Sequence, residues 1–124
     1  MTRTLVRLVP MLIAISICAS VALAQTAVSY TGLWRTQWGA VPGRGGQGSS
    51  DINAVHRDGG VIWTYGQGHT MVCVMDGSHC DGTWVGGSGA GWIDVTFTAN
   101  GRSFTGLWGY GDDHSAAGTF TGTR

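Results

Sequence analysis

Hydrophobic and polar residues alternate along both sides of the dipeptide Asn100-Gly101, a typical tight-turn sequence. A turn centred there places Phe97 opposite Phe104 and Ile93 opposite Trp108. One face then carries Ile93, Val95, Phe97, Phe104 and Trp108, and the other carries Asp94, Thr96, Thr98, Ser103 and Thr105. This period of two predicts an antiparallel hairpin with one buried face.

A short phrase, Gly-x-Trp or Gly-x-Phe, recurs along the chain and extends this prediction. It begins at Gly32, Gly82, Gly106 and Gly118, and the last three copies are 24 and 12 residues apart. Twelve residues correspond to one strand and one turn, so the repeat predicts a β-meander in which glycine makes room beside a large aromatic ring.

Two further Asp-Gly dipeptides predict hairpin turns. At Asp58-Gly59, Ala54 comes opposite Trp63 and Ile52 opposite Tyr65, although a turn at 59–60 competes. A turn centred on Asp76-Gly77 places Cys73 directly opposite Cys80, within disulfide reach. We therefore predict a Cys73–Cys80 disulfide. The same register puts His69 opposite Trp84, where the two rings would stack.

Strands are predicted over residues 30–38, 69–75, 78–85 and 116–122 in addition to these hairpins. The total is about eight strands joined mainly by tight turns. The predicted fold class is all-β, a small up-and-down antiparallel meander that closes into a barrel, with an open twisted sheet as the alternative.

Residues 1–24 have the pattern of a cleaved signal peptide, with Arg3 and Arg7 before an apolar stretch and Ala22-Leu23-Ala24 as the cleavage site. We expect export to the periplasm or the outside, no transmembrane segment in the mature chain, and one β domain over residues 25–124. Export also makes a disulfide chemically permissible.

The charge of the mature chain argues against one class of partner, nucleic acid. It has no Lys and no Glu, and its five Arg and seven Asp give a formal charge of −2. Nucleic-acid binding needs a basic face, so no nucleic-acid partner is expected. Twelve aromatic residues favour a packed β core, although 22 glycines are present.

The stretch Thr31-Gly32-Leu33-Trp34, continuing to Gly39, resembles the first strand of avidin-type barrels, and the wider calycin group begins similarly. This resemblance implies a small barrel. Thr36 and Ala40 stand where avidins have a biotin-binding Asn and Ser, which speaks against biotin as the ligand.

Two resemblances cover other parts of the chain. Residues 80–103 and 104–124 are similar to MORN repeats, which implies a protein or lipid interaction module. The order of the Gly-x-Trp phrases over most of the mature chain is similar to uncharacterised exported bacterial proteins, which implies a fold and a location but no activity.

The sequence gives little basis for catalysis. Without Glu there are no paired glutamates, and no hydrolase, zinc-protease or phosphate-binding motif is present. His56 with Asp58, and Asp112 with His114, are the candidate metal ligands or acid–base groups. They support an alternative, an Asp/His hydrolase or metal enzyme. We expect no enzymatic activity and no cofactor.

Aromatic residues are the better candidates for binding. Trp38, Trp63, Trp92 and Tyr110 could line a barrel mouth and stack on a ligand, whereas Trp34, Trp84 and Trp108 are expected in the core. Trp92 falls on the polar face of the Asn100-Gly101 hairpin, so it is expected to be exposed unless another element covers it. If this face lines the interior of a closed barrel, Trp92 is instead a core residue. The long connection 39–50 is a candidate lid. The expected function is non-catalytic binding of a small molecule or glycan.

Overall fold

A computed structural model describes residues 28–124, which form eight antiparallel strands. The predicted signal peptide lies outside the described residues, and its prediction stands on sequence alone. The strands are β1 (Gly32–Trp38), β2 (Gly48–Arg57), β3 (Gly60–Thr64), β4 (Thr70–Asp76), β5 (His79–Gly86), β6 (Gly89–Phe97), β7 (Ser103–Tyr110) and β8 (Gly118–Thr123).

The eight strands form a closed barrel in a single meander. Each strand pairs with the next one in the chain, and β8 returns to pair with β1. The predicted all-β barrel is therefore confirmed, and the open twisted sheet is excluded. Within residues 28–124, no helix has the length and hydrophobicity needed to cross a membrane.

Two of the three predicted hairpin registers are confirmed. Phe97 lies opposite Phe104 in the β6–β7 hairpin, and Ala54 lies opposite Trp63 in the β2–β3 hairpin. Asp58 has φ +52° and Gly59 has φ +75°. Two successive positive φ values are what a type I′ turn requires, so the turn is Asp58-Gly59 and not the competing 59–60 pair.

The third hairpin register is wrong by one turn position. Asp76 pairs with His79, so the turn residues are Gly77 and Ser78, and Cys80 lies opposite Met75. The physical reason is that Gly77-Ser78 is also a good hairpin turn, with Gly77 at φ +61° in the first turn position.

The predicted disulfide nevertheless forms, as a diagonal link between β4 and β5 with 5.3 Å between the Cα atoms of Cys73 and Cys80. Cys73 lies opposite Gly82, which has no side chain to occupy the space inside the barrel. A Cβ on Gly82 would overlap the Val72 carbonyl oxygen and approach the Cys73 Cα within 2.6 Å. Glycine at this position lets the two strands approach closely beside the disulfide.

Three copies of the Gly-x-Trp phrase have the same role in packing. Gly82, Gly106 and Gly118 each face neighbouring backbone so closely that a Cβ would overlap a carbonyl oxygen. The aromatic residue two positions later then fills the interior. The copy at Gly32 differs, because its nearest neighbour is 3.9 Å away and its φ is +136°, so backbone conformation is the constraint there.

Aromatic rings fill one end of the barrel, which we call the closed end. Tyr30 stacks on Phe97 with ring centroids 3.9 Å apart, and the Trp34 indole N–H donates to the Tyr30 carbonyl at 2.9 Å. Arg124 lies over the Trp34 ring at 4.8 Å and donates to the carbonyls of Gly101, Thr31 and Ser29. These contacts cover this end of the core.

The opposite end, which we call the open end, carries the longer connections. The loops 39–47, 65–69 and 111–117 and the short turn 87–88 meet there. Val41 of the first loop is buried and bonds to Gly45, so this loop is folded onto the barrel. The open end is where the interior is not filled by side chains.

Candidate ligand-binding cavity

A cavity of about 320 Å³ enters the barrel from the open end. This volume is at the lower limit of typical small-molecule sites. It is lined by Trp38, Gly46, Gln47, Ile52, Tyr65, His69, Met71, Trp84, Gly86, Gly87, Ser88, Ile93, Trp108, Tyr110 and Phe120. Most of these side chains are aromatic or aliphatic, so the cavity offers mainly apolar surface with a few polar groups.

Three aromatic rings form one wall. Trp84, Trp108 and Tyr110 pack on each other edge to face or tilted, with centroid distances of 5.1 to 5.8 Å. The indole N–H of Trp84 donates to the Gly109 carbonyl at 2.8 Å, and that of Trp108 donates to the Gly39 carbonyl at 2.9 Å. These bonds fix both indole rings before any ligand is bound.

Trp38, Tyr65 and His69 form the second wall. Trp38 lies against Gly48, where a Cβ would come within 2.8 Å of the indole ring. Tyr65 packs between Trp38 at 6.5 Å and His69 at 5.1 Å. His69 Nε2 accepts a hydrogen bond from the Gly87 backbone N–H at 3.0 Å, which ties the loop 65–69 to the turn 87–88.

The loop 39–47 lies over part of the cavity mouth. A Cβ on Gly46 would overlap the Tyr110 hydroxyl and approach Trp108 within 3.0 Å, so the loop backbone rests on these rings. The Arg44 guanidinium lies over the Tyr110 ring at 4.1 Å. Part of the predicted lid, residues 39–50, is therefore at the cavity, while its last residues belong to β2.

The described residues that line the cavity include no Asp, Glu, Lys or Arg. Burial raises the pKa of the Tyr65 phenol above its ordinary value. Asp113 lies outside the cavity, and its pKa is lowered by its hydrogen bonds from Ser115 and, more weakly, by the charges of His114 and Arg44.

Trp92 is buried, although the sequence predicts that it is exposed unless another element covers it. Its strand register is confirmed, opposite Gly109, but only 6% of the side chain is exposed. The loop 111–117 covers it: the indole N–H donates to the Asp113 carbonyl at 2.9 Å, and the ring stacks on His114 at 4.3 Å. Trp92 therefore fastens this loop to the outside of the barrel and does not line the cavity.

The other predicted aromatic residues divide between the cavity and the core. Trp38 and Tyr110 line the cavity, whereas Trp63 is fully buried among Trp34, Phe97, Phe104 and Phe120. Its indole N–H has no hydrogen-bond partner among the described residues.

The sequence predicts Trp84 and Trp108 as core alone, and they are both buried and part of the cavity wall. It does not single out Tyr65 and His69 as cavity residues. His69 does not stack on Trp84 as expected, because the shifted register puts Met71 opposite Trp84. The signal that could have found these residues is their position near strand ends that share the open end.

The candidate metal or catalytic residues are at opposite ends of the barrel. His56 and Asp58 lie at the end of β2 and in the closed-end turn, and His56 is packed against Tyr30. Asp112 and His114 lie in the open-end loop 111–117. Among residues 28–124, no group of three or more His, Cys, Asp or Glu side chains is placed to hold a metal ion.

A row of exposed aliphatic side chains runs across the outside of β2, β3 and β4. Val55 lies opposite Ile62, and Ile62 lies opposite Val72. These side chains are 39 to 47% exposed. Nothing in the described part of the chain covers them. The MORN-like interaction role, which the resemblance assigns to residues 80–124, stays a prediction.

No known protein family, curated protein or solved structure matches this chain. Its function has to be inferred from the geometry and chemistry of the cavity.

Proposed function

We propose that this protein is an exported, non-catalytic binding protein that holds a small molecule in the open end of its barrel. The observation that carries the proposal is the cavity of about 320 Å³, in which the Trp84 and Trp108 indoles of one aromatic wall are fixed by hydrogen bonds to backbone carbonyls. Pre-formed apolar pockets with a few polar groups are typical of ligand sites, because little has to be ordered on binding.

Binding is favoured over catalysis by the chemistry of the cavity lining. Its titratable side chains are His69, Tyr65 and Tyr110, and His69 uses Nε2 to bond the Gly87 backbone. A general base needs a free nitrogen or carboxylate aimed at a reacting atom. The alternative, an Asp/His hydrolase or metal enzyme, has no specific observation in its favour, because its four residues lie at opposite ends.

A titration read at the tryptophan indoles tests the proposal. The six indole N–H groups give separate signals in proton–nitrogen correlation spectra, and pooled sugars, aromatics and fatty acids would be added in turn. A compound in the cavity should shift the signals of Trp38, Trp84 and Trp108. It should leave the signal of Trp34, at the closed end, unchanged.

A matched pair of variants separates the cavity from the outer surface. Trp38→Ala removes a cavity wall and should weaken binding at least about tenfold, as expected for an aromatic contact. Leu107→Ala, on the outside of β7 next to Trp108, should leave affinity unchanged. Binding that responds equally to both variants, or a full panel without any indole shift, would contradict the proposal.

A further inference from the structure

The deep part of the cavity is lined by apolar side chains. Ile52, Ile93, Met71 and Phe120 line it, and each is at most 5% exposed. A ligand that reaches this depth replaces most of its contacts with water by contacts with apolar side chains. This exchange is favourable only for apolar ligand atoms. The inserted part of the ligand is therefore apolar.

The two tryptophans of the wall offer their rings but not their N–H groups. Trp84 and Trp108 donate to the carbonyls of Gly109 and Gly39, so neither indole N–H is free for a ligand hydroxyl. A sugar placed between these rings would bury several hydroxyls without partners. Flat aromatic rings can instead pack edge to face or stacked on the wall.

The polar groups of the cavity come from open-end loops and strand ends, and they include the Tyr65 and Tyr110 hydroxyls and the Trp38 indole N–H. Gln47 and Ser88 are exposed loop residues, and half-buried His69 lies beside the turn 87–88. Because His69 Nε2 accepts from Gly87, its Nδ1 carries the proton in the neutral ring and can donate. A ligand can therefore satisfy a polar group only at the opening.

The lining also disfavours charge. No carboxylate, ammonium or guanidinium group belongs to the described residues that line the cavity, and Arg44 is stacked over Tyr110. A buried charge without a partner is strongly unfavourable in apolar surroundings.

We infer that the cavity takes a flat, uncharged aromatic molecule that enters ring first and leaves its polar group at the opening, beside Gln47, Ser88 and His69. This inference rests on the proposed binding function and adds the chemical class of the ligand.

Three probes test the class of ligand: β-naphthamide, β-naphthoate and methyl β-glucoside. The first two have the same shape, but the second carries a negative charge at neutral pH. Calorimetry would measure affinity, and the indole signals would locate each probe. We expect β-naphthamide to shift the signals of Trp84 and Trp108, and β-naphthoate to bind at least about tenfold more weakly. Methyl β-glucoside should shift neither signal.

Two variants test where the amide group of bound β-naphthamide lies. Ser88→Ala removes a polar group at the opening. It should weaken the binding of β-naphthamide but leave the affinity for unsubstituted naphthalene unchanged. Thr105→Ala, exposed on the outside of β7, is the matched control and should change neither.

The outcomes separate the ligand class from the binding function. If β-naphthoate or methyl β-glucoside bound in the cavity more tightly than β-naphthamide, the inferred ligand class would be overturned, while the binding function would stand. Failure of all three probes to shift any indole signal would also overturn the class. The binding function itself would be overturned only if the wider panel of sugars, aromatics and fatty acids gave no cavity ligand either.

Discussion

Each end of the barrel carries an arginine that stacks on an aromatic ring, but the surroundings of the two arginines differ. At the closed end, Arg124 lies over Trp34 and also donates to three backbone carbonyls, from Gly101, Thr31 and Ser29. At the open end, Arg44 lies over Tyr110 from a glycine-rich loop. Arg124 joins the end of β8 to two other segments, residues 29–34 and the turn at Gly101, whereas Arg44 rests on a single ring.

The aromatic rings show the same contrast. At the closed end, the Phe97 ring packs on the rings of both Tyr30 and Trp34, and all three residues are buried in the core. The open-end rings of Trp84, Trp108 and Tyr110 pack side by side along one wall and leave space in front of it. Tryptophan therefore stabilises the fold at one end and lines a candidate site at the other.

The largest expected effect is at the closed end. Trp34 has no exposed surface and bonds to Tyr30, so Trp34→Ala should lower the free energy of unfolding by about 3–5 kcal/mol. Trp38 is only half-buried at the open end, so Trp38→Ala should lower the free energy of unfolding by only about 1–2 kcal/mol. Urea denaturation of both variants measures the difference, and equal losses would contradict the contrast between the ends.

Trp92→Ala should have the next largest effect, about 3 kcal/mol, because the indole is covered by the loop 111–117. Binding of a cavity ligand should be unchanged, since Trp92 lies outside the barrel. Denaturation and calorimetry on the same preparation test both statements. Normal stability combined with lost binding would place Trp92 in the site after all.

Removal of the disulfide should lower stability by about 2–3 kcal/mol, because the bond closes a short loop near a closed-end turn. The double variant Cys73→Ala with Cys80→Ala should match the reduced parent protein in urea denaturation. The indole signals of Trp84 and Trp108 should stay in place in both. Movement of these signals would mean that the disulfide also shapes the cavity.

Arg44→Ala should have a small effect, about 0.5–1 kcal/mol, typical of a cation–ring contact at an exposed site. The expected readout is thermal unfolding, with Arg102→Ala as an exposed arginine control. A loss of several kcal/mol would show that the loop 39–47 is as firmly held as the closed end.

The smallest effects depend on pH and have opposite signs. A hydrogen bond to Asp94, opposed by slight desolvation, raises the pKa of half-exposed His79 near the closed end. Its stabilisation is complete below the ordinary histidine pKa of about 6.5 and is lost as pH rises through the raised value. Asp113, in the open-end loop, has a lowered pKa because Ser115 donates to it, so its contribution is lost in acid, below about pH 4.

Denaturation across pH measures both contributions. Asp94→Asn should remove the loss at high pH, and Ser115→Ala should reduce the loss in acid. If neither variant changed the pH profile, these two pairs would not contribute to stability.

The barrel and two of its registers could be predicted because Asn100-Gly101 and Asp58-Gly59 are strong turn signals flanked by alternating residues. The register at Gly77-Ser78 could not, because Asp76-Gly77 is an equally good turn sequence and both choices bring the cysteines together. In the observed register Gly82 lies opposite Cys73, where the two backbones approach closely, and this contact depends on the neighbouring strand rather than on the turn sequence.

The cavity could be predicted only in part. A period of two shows which residues face inward but not how far along the barrel axis each one lies, so the sequence groups Trp63 with Trp38 although Trp63 is deep in the core. The cover of Trp92 comes from Asp113 and His114, about 20 residues later in the chain. Such contacts depend on the path of a loop, which strand patterns do not describe.

Pairing of β1 with β8 makes the strand order a ring, and this has a consequence for engineering. Arg124 bonds to Thr31, so the start of β1 and the end of β8 lie side by side at the closed end. A short linker there would join them, and a new break at the turn 87–88 would give a circular permutant with the same eight strand pairings. Its new ends would flank the cavity mouth, where a pair of fluorophores could report occupancy directly.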